Sequence, residues 1–321
     1  MNIVFHGINA GSFSGNFSEF LHGEHRVATL ADSPDPAAYG AAEIIIGSWF
    51  NAGLPPPDRL RLFHLTGAGY DTVDFDALPA GVSVCNCFGH EQAISEYVMA
   101  ALLARCIPLA EGDAALRRGL WPFAARGAET VHPELAGRTI GLLGYGRIGK
   151  AIAARAHAFE MRIHVANRSP VATGGIVDRA WTLDALRDFF ASAEFIVASL
   201  PLTPETAGLV NEAAFDAMRR DAVVINVGRG GVVDEAALYN ALAGNRIAGA
   251  IIDTWYQYPD ASGAPQLPSR LPFHELKNIV MTPHMSGWTA GTIRRRQQAM
   301  ADNINRLARG EPLVNVVRSG K

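Results

Sequence analysis

The stretch from Thr139 to Ser169, TIGLLGYGRIGKAIAARAHAFEMRIHVANRS, decides the fold. Thr139 to Leu143 is a short apolar run suited to a buried parallel strand. Gly144, Gly146 and Gly149 supply G-x-G-x-x-G, and Ile152, Ala153, Ala156 and Phe159 follow at helical spacing. A second strand is expected to end about 20 residues beyond the glycines, at Asn167, Arg168 and Ser169. In such a unit the first glycine permits a tight turn, the second lets the backbone approach a pyrophosphate that faces the helix amides, and the third lets helix and strand pack closely. The run therefore predicts a dinucleotide cradle made by Gly144, Tyr145, Gly146, Arg147, Ile148 and Gly149.

On the C-terminal side, strand candidates recur at Phe195 to Ala198, Val223 to Val227, Ala250 to Ile252 and Ile279 to Met281, with helices between them. That is the pattern of a Rossmann-type doubly wound parallel sheet. On the N-terminal side, Ile3 to Phe5, Glu43 to Ile46, Leu62 to Leu65 and Val82 to Asn86 alternate with segments rich in Gly, Pro, Asp and Ala, which predicts a smaller, open α/β sheet. A helix over Gln92 to Ile107, limited by Pro108, carries the chain from one to the other. The last 30 residues read as a basic amphipathic helix with Ile293, Met300, Ile304 and Leu307 on one side and Arg294, Arg295 and Arg296 exposed, either as a solvated face or toward an acidic partner. The expected organisation is a discontinuous substrate domain, 1–98 with 288–321, and a dinucleotide-binding domain, 99–287.

Composition narrows the function classes. With 321 residues, 49% of them hydrophobic, the chain can bury a core larger than one domain usually holds, since single cores seldom grow past ~250 residues. A formal net charge of -3 gives no reason to expect nucleic acid or an anionic membrane as partner, and no uncharged stretch is long enough to cross a bilayer. Three cysteines, an odd number, and a strand-like opening NIVFHG suggest a reducing, cytoplasmic setting. Cys85 and Cys87 alternate along a strand and read as buried thiols; as metal ligands they would need a cysteine-histidine set that the neighbourhood lacks, so no metal is expected.

Two residues stand where chemistry is expected. Arg229 follows the strand Val223 to Val227 and His284 follows Ile279 to Met281, beyond the carboxyl ends of parallel strands, where open α/β sheets bind ligands. Hydride transfer to a carbonyl leaves charge on its oxygen, so an acid titrating near neutrality and a fixed cation lower the barrier. Arginine also meets a planar carboxylate with two prongs. The plainer alternatives are an arginine that pins its own glycine-rich turn and a histidine satisfied by nearby backbone. Amides around Ala68 and Gly69 could hold a carboxylate or only form a turn. Trp49 and Phe50, at another strand end, either line a pocket or pack.

Five motifs in order, LTGAGYD (65–71), GYGRIG (144–149), SLPLT (199–203), NVGRGG (226–231) and TPHMSGW (282–288), make the chain similar over nearly its whole length to D-isomer-specific 2-hydroxyacid dehydrogenases. The resemblance implies a flavodoxin-like fold for the smaller domain and a homodimer built on the nucleotide domain. It implies that Arg229 binds and polarises the substrate, that His284 exchanges the hydroxyl proton, and that the loop with Ala68 and Gly69 lies on the substrate side. It also implies that Leu200, Pro201, Thr206, Val227, Gly228, Asp253 and Gly287 contact the cofactor, with Asp253 helping to hold the nicotinamide.

The chain departs from that pattern twice. Where the family carries a glutamate paired with the histidine, DTWYQYP (253–259) has Tyr258, which can orient His284 but cannot offer it charge; Glu91 is the alternative source of charge, or else simply favours a helix N-terminus. Related formate dehydrogenases also lack the glutamate, so a different hydride donor stays open. The second strand ends in Asn167, Arg168 and Ser169 instead of an acidic residue, which favours NADP(H) over NAD(H), unless the loop is only a cationic surface. The expected activity is NADPH-linked reduction of a small 2-keto acid such as glyoxylate or hydroxypyruvate to a D-2-hydroxy acid, with a nucleotide-sensing corepressor-like protein as the alternative from another class.

Overall fold

A computed structural model describes residues 1–30, 35–260 and 264–320. In chain order the strands are β1 (Asn2–His6), β2 (Arg26–Leu30), β3 (Ile44–Gly47), β4 (Leu62–Leu65), β5 (Ser83–Cys85), β6 (Thr139–Leu143), β7 (Arg162–Ala166), β8 (Arg179–Trp181), β9 (Phe195–Ala198), β10 (Val223–Asn226), β11 (Gly249–Ile252), β12 (Ile279–Met281) and β13 (Val316–Arg318). The chain forms two compact units, Met1–His90 with Trp288–Lys321, and Glu91–Gly287. The division falls at 90/91, eight residues before the 98/99 junction expected from sequence. The helix Glu91–Cys106 belongs wholly to the second unit, because Ile94, Val98, Met99 and Leu102 are buried in one cluster with Ile152 and Ala153 of the helix Arg147–Ala158.

The second unit is a seven-stranded sheet in the order β12-β11-β10-β9-β6-β7-β8, parallel throughout. Chain progress reverses between β6 and β9, so the switch point lies beside the glycine turn. Both faces are covered. Ile140, Leu142, Ile163 and Val165 point into one cluster, whereas Leu143, Ile196, Val224 and Ile252 point into the other. Burial on both sides explains why these strands read as continuous apolar runs.

The first unit has the order β13-β5-β4-β3-β1-β2, parallel except for the antiparallel β13. The order 2-1-3-4-5 is flavodoxin-like. Ile3, Phe5, Ile44 and Ile46 alternate with Val4 and Ile45 between two clusters, and Cys85 and Cys87 are buried. The C-terminal helix is shorter than its sequence suggests. It spans Ala290–Arg309, capped by the Thr289 hydroxyl and closed by Gly310 at φ +68°, after which the chain adds β13 to the sheet. Met300 and Ile304 enter the core as expected; Arg294 and Arg295 are exposed, but Arg296 is half-buried.

Candidate active site

In the second unit the glycine turn has the geometry its sequence requires. Gly144 sits at φ +101°, and a Cβ on Gly149 would lie 2.2 Å from the Gly144 carbonyl oxygen. Gly146 faces open space, and no side chain caps the helix Arg147–Ala158 that it starts. Uncapped amides at the positive end of a helix, beside a residue with no Cβ, fit a pyrophosphate. Tyr145 and Ile148 are half-buried and Arg147 is exposed. Asn167 uses its side chain locally: its Oδ1 accepts from the Tyr145 amide (3.2 Å) and its Nδ2 donates to the Ser169 carbonyl (2.9 Å). It therefore ties the glycine turn to the next loop, leaving Arg168 and Ser169 exposed just beyond β7.

The loops after β9 and β10 complete the rim. The Thr206 hydroxyl donates to the Pro201 carbonyl (2.6 Å) and accepts from the Thr203 amide (2.8 Å), which closes the loop that starts at Leu200. After Val227, a Cβ on Gly228 would come within 2.7 Å of the Leu200 carbonyl oxygen, so these two strand-end loops touch through backbone.

Arg229 is held by the turn around it. Asn226, 1% exposed, donates to the Arg229 carbonyl (3.0 Å) and accepts from the Gly228 amide (3.1 Å). On the far side, a Cβ on Gly230 would overlap the Trp255 carbonyl oxygen at 2.2 Å, which only glycine avoids. The guanidinium is half-buried and donates to the Gly228 carbonyl (3.2 Å).

His284 is held differently. Asp253, 0% exposed, accepts from the Thr282 hydroxyl (2.6 Å), the Met285 amide (2.8 Å) and the Ser286 amide (2.9 Å), and so fastens both sides of the histidine loop. His284 itself adopts φ +57°, a left-handed conformation that costs on the order of 1 kcal/mol for a side-chain-bearing residue and persists where its surroundings fix it. Its Nδ1 lies 2.9 Å from the Tyr258 hydroxyl, which also accepts from the Trp255 amide (3.2 Å). Burial pushes the Tyr258 phenol above its ordinary pKa, against the pull of the Trp255 hydrogen bond and the Arg229 charge, so it stays neutral at physiological pH. The two loops meet at Trp255, whose carbonyl packs on Gly230, beside Arg229, and whose amide donates to the phenol that lies against His284. Gly287, half-buried, ends the unit, and Glu91 is the buried first residue of the helix Glu91–Cys106.

The remaining residues singled out from sequence lie in the first unit. Ala68 and Gly69 follow β4; the Ala68 carbonyl accepts from Asn86 Nδ2 (2.7 Å), while among the described residues the Ala68 and Gly69 amides donate to no protein group. Trp49, after β3, is half-buried against the His6 ring (5.0 Å), and Phe50 is buried in the core. Burial lowers the His6 pKa to about 4.

Sequence reasoning missed the residues that fix the two loops. Thr282 joins Asp253 to the Tyr97 hydroxyl (2.7 Å), and the Trp255 indole donates to the Thr282 carbonyl (2.8 Å). The available signal was position: Asn226 and Thr282 open their motifs at strand ends, and Trp255 follows β11 by three residues.

The chain is similar to known proteins. Residues 99–286 match the family model of the D-isomer specific 2-hydroxyacid dehydrogenase, NAD binding domain. The chain is 33% identical over 260 residues to D-3-phosphoglycerate dehydrogenase of Mycobacterium leprae, covering 80% of this chain and 47% of that protein. It thus spans about half the length of these curated relatives. It is 34% identical over 263 residues to glyoxylate reductase of Pyrococcus horikoshii, covering 79% and 75%. Among solved structures, an acyclic imino acid reductase in complex with NADPH and D-Arg superposes with a TM-score of 0.78 at 25% identity, covering 99% and 100%. The chain belongs to the D-isomer specific 2-hydroxyacid dehydrogenase family.

Proposed function

We propose that the protein reduces a small 2-keto acid to the D-2-hydroxy acid with NADPH. The observation that carries this reading is the meeting of the Arg229 and His284 loops at Trp255, beyond the carboxyl ends of β10 and β12: its carbonyl packs on Gly230, and its amide donates to the Tyr258 phenol that lies against His284 Nδ1. A reduced nicotinamide, held by the cradle from Gly144 to Gly149 with the loops at Leu200, Pro201, Thr206, Val227 and Gly228, supplies the hydride. Arg229 binds the substrate carboxylate and steadies the charge growing on the keto oxygen, and His284 delivers the proton that completes the hydroxyl. Ala68, Gly69 and Trp49 serve the substrate. Asp253 keeps the histidine loop in place, and Gly287 and Asp253 border the nicotinamide.

Preference for NADP(H) rests on the amide of Asn167 standing where a carboxylate would repel a 2′-phosphate, and on the exposed Arg168 and Ser169. The exposed Leu109, Leu116, Leu120, Trp121 and Phe123 of the second unit support a homodimer built through that segment. Among the described residues no single helix is long and apolar enough to cross a membrane.

A second reading is favoured by Tyr258. Hydride addition to an iminium carbon yields a neutral amine and draws no proton from the enzyme, so a 2-imino acid suits a histidine whose ring meets a neutral phenol, and one solved structure similar to this chain is an acyclic imino acid reductase. A panel of 2-keto acids, alone and with ammonium or methylamine, assayed by NADPH absorbance, separates the readings. Turnover of keto acid alone supports the first, turnover only with amine supports the second, and NADPH binding without oxidation in any arm means a nucleotide sensor.

A further inference from the structure

We propose that Tyr258 is a positioning residue that holds neutral His284 in the tautomer carrying its proton on Nε2. Among the described residues the phenol has two polar neighbours. The Trp255 amide can only donate, and it donates to the phenol oxygen at 3.2 Å. That leaves His284 Nδ1, at 2.9 Å, as the described protein acceptor within reach of the phenol's own hydrogen, and the proposal gives it that hydrogen. The rings meet at 51° with centroids 5.6 Å apart, so the hydroxyl reaches the edge of the imidazole and does not stack on its face.

Both ends of this chain of donors are fixed. Trp255 is 5% exposed, and its indole is bound to the Thr282 carbonyl. His284 is set by a loop whose amides at Met285 and Ser286 are bound to Asp253. A carboxylate in place of Tyr258 would do the opposite: it only accepts, so it would draw the proton to Nδ1 and leave Nε2 with a lone pair. In this chain the neutral ring then carries its hydrogen on Nε2. Its use toward a substrate oxygen rests on the function proposed above; the tautomer does not.

The test is the nitrogen-15 spectrum of the imidazole in the full chain, at a pH where the ring is neutral, with the His284 signals assigned by their loss in His284→Asn. The expected wild-type result is a protonated Nε2 and an unprotonated Nδ1 displaced by hydrogen bonding. Tyr258→Phe should return Nδ1 to the position of a nitrogen that accepts no bond, and Tyr258→Glu should move the proton to Nδ1. In Tyr258→Phe, kcat should fall about two- to tenfold, the range of one neutral hydrogen bond, with KM little changed. A wild-type ring protonated on Nδ1, or an Nδ1 signal unmoved in the folded phenylalanine variant, would overturn the proposal. The expected spectrum in a protein that reduces no keto or imino acid would leave the tautomer standing and remove the proposed function.

Discussion

The two loops that carry Arg229 and His284 are secured by different physics. Around Arg229 the constraint is shape: Gly228 and Gly230 let backbone meet backbone at Leu200 and Trp255, and Asn226 stitches the turn with two hydrogen bonds. Around His284 the constraint is a buried carboxylate, Asp253, with three donors, and a neutral phenol on the ring. A close-packed turn tolerates almost no added volume but is indifferent to charge. A loop gathered on one carboxylate tolerates volume and fails when an acceptor is lost.

The largest effect is expected at the arginine itself. Arg229→Ala should lower kcat/KM for any 2-keto acid by at least about a hundredfold while NADPH binding by fluorescence changes little, because the guanidinium acts on substrate and developing charge. Near-normal turnover in a folded variant would remove Arg229 from the site.

Next come the supports, where the comparison can be broken. Gly230→Ala forces a methyl group onto the Trp255 carbonyl and should cost about 1–3 kcal/mol of stability together with activity. Asp253→Asn keeps the volume but turns a donor toward the Met285 or Ser286 amide. It should cost a similar 1–3 kcal/mol and loosen the histidine loop specifically, seen as faster amide exchange at Met285 and Ser286 but not at Gly228. If both loops loosen equally in both variants, they form one unit and the distinction fails.

A smaller effect belongs to the cofactor edge. Arg168→Ala should lose mainly the advantage of NADPH over NADH in kcat/KM, with NADH kinetics nearly unchanged. A hydrogen bond from Thr203 first, and the charge of Arg168 in a lesser way, lower the pKa of the exposed Glu205, so this carboxylate and Arg168 feel each other's charge. Glu205→Gln should therefore improve the KM for NADPH slightly; equal coenzyme preference in wild type would contradict both expectations.

The frame was legible because its strands are buried on both faces. Thr139–Leu143, Leu62–Leu65 and Phe195–Ala198 stand where their apolar runs placed them. Of the edge strands, Ile279–Met281 was legible although Val280 is exposed, but the others were not: β2 carries exposed Arg26 and Val27, and β8 and β13 have three residues each without a period to read. In the site, the chemistry-bearing residues announced themselves by type and position, whereas their supports did not. That Gly230 must be glycine depends on Trp255, and that Asp253 gathers the histidine loop depends on the register of β11 with β12. Both are contacts between distant segments, which local pattern does not encode.

In the proposed function His284 delivers the proton with a neutral phenol on its ring, and the pH dependence of kcat/KM for keto-acid reduction in wild type and Tyr258→Glu tests this most directly. Reduction needs the protonated ring, so activity falls as pH rises through the point where the ring loses its proton. A carboxylate beside the ring raises that point, each pKa unit corresponding to about 1.4 kcal/mol, whereas the Tyr258 phenol contributes no charge. The predicted result is a wild-type profile that declines at lower pH than that of Tyr258→Glu, with both proteins folded throughout. Superimposable profiles would contradict the account, because Tyr258 would then have no influence on the acid that delivers the proton.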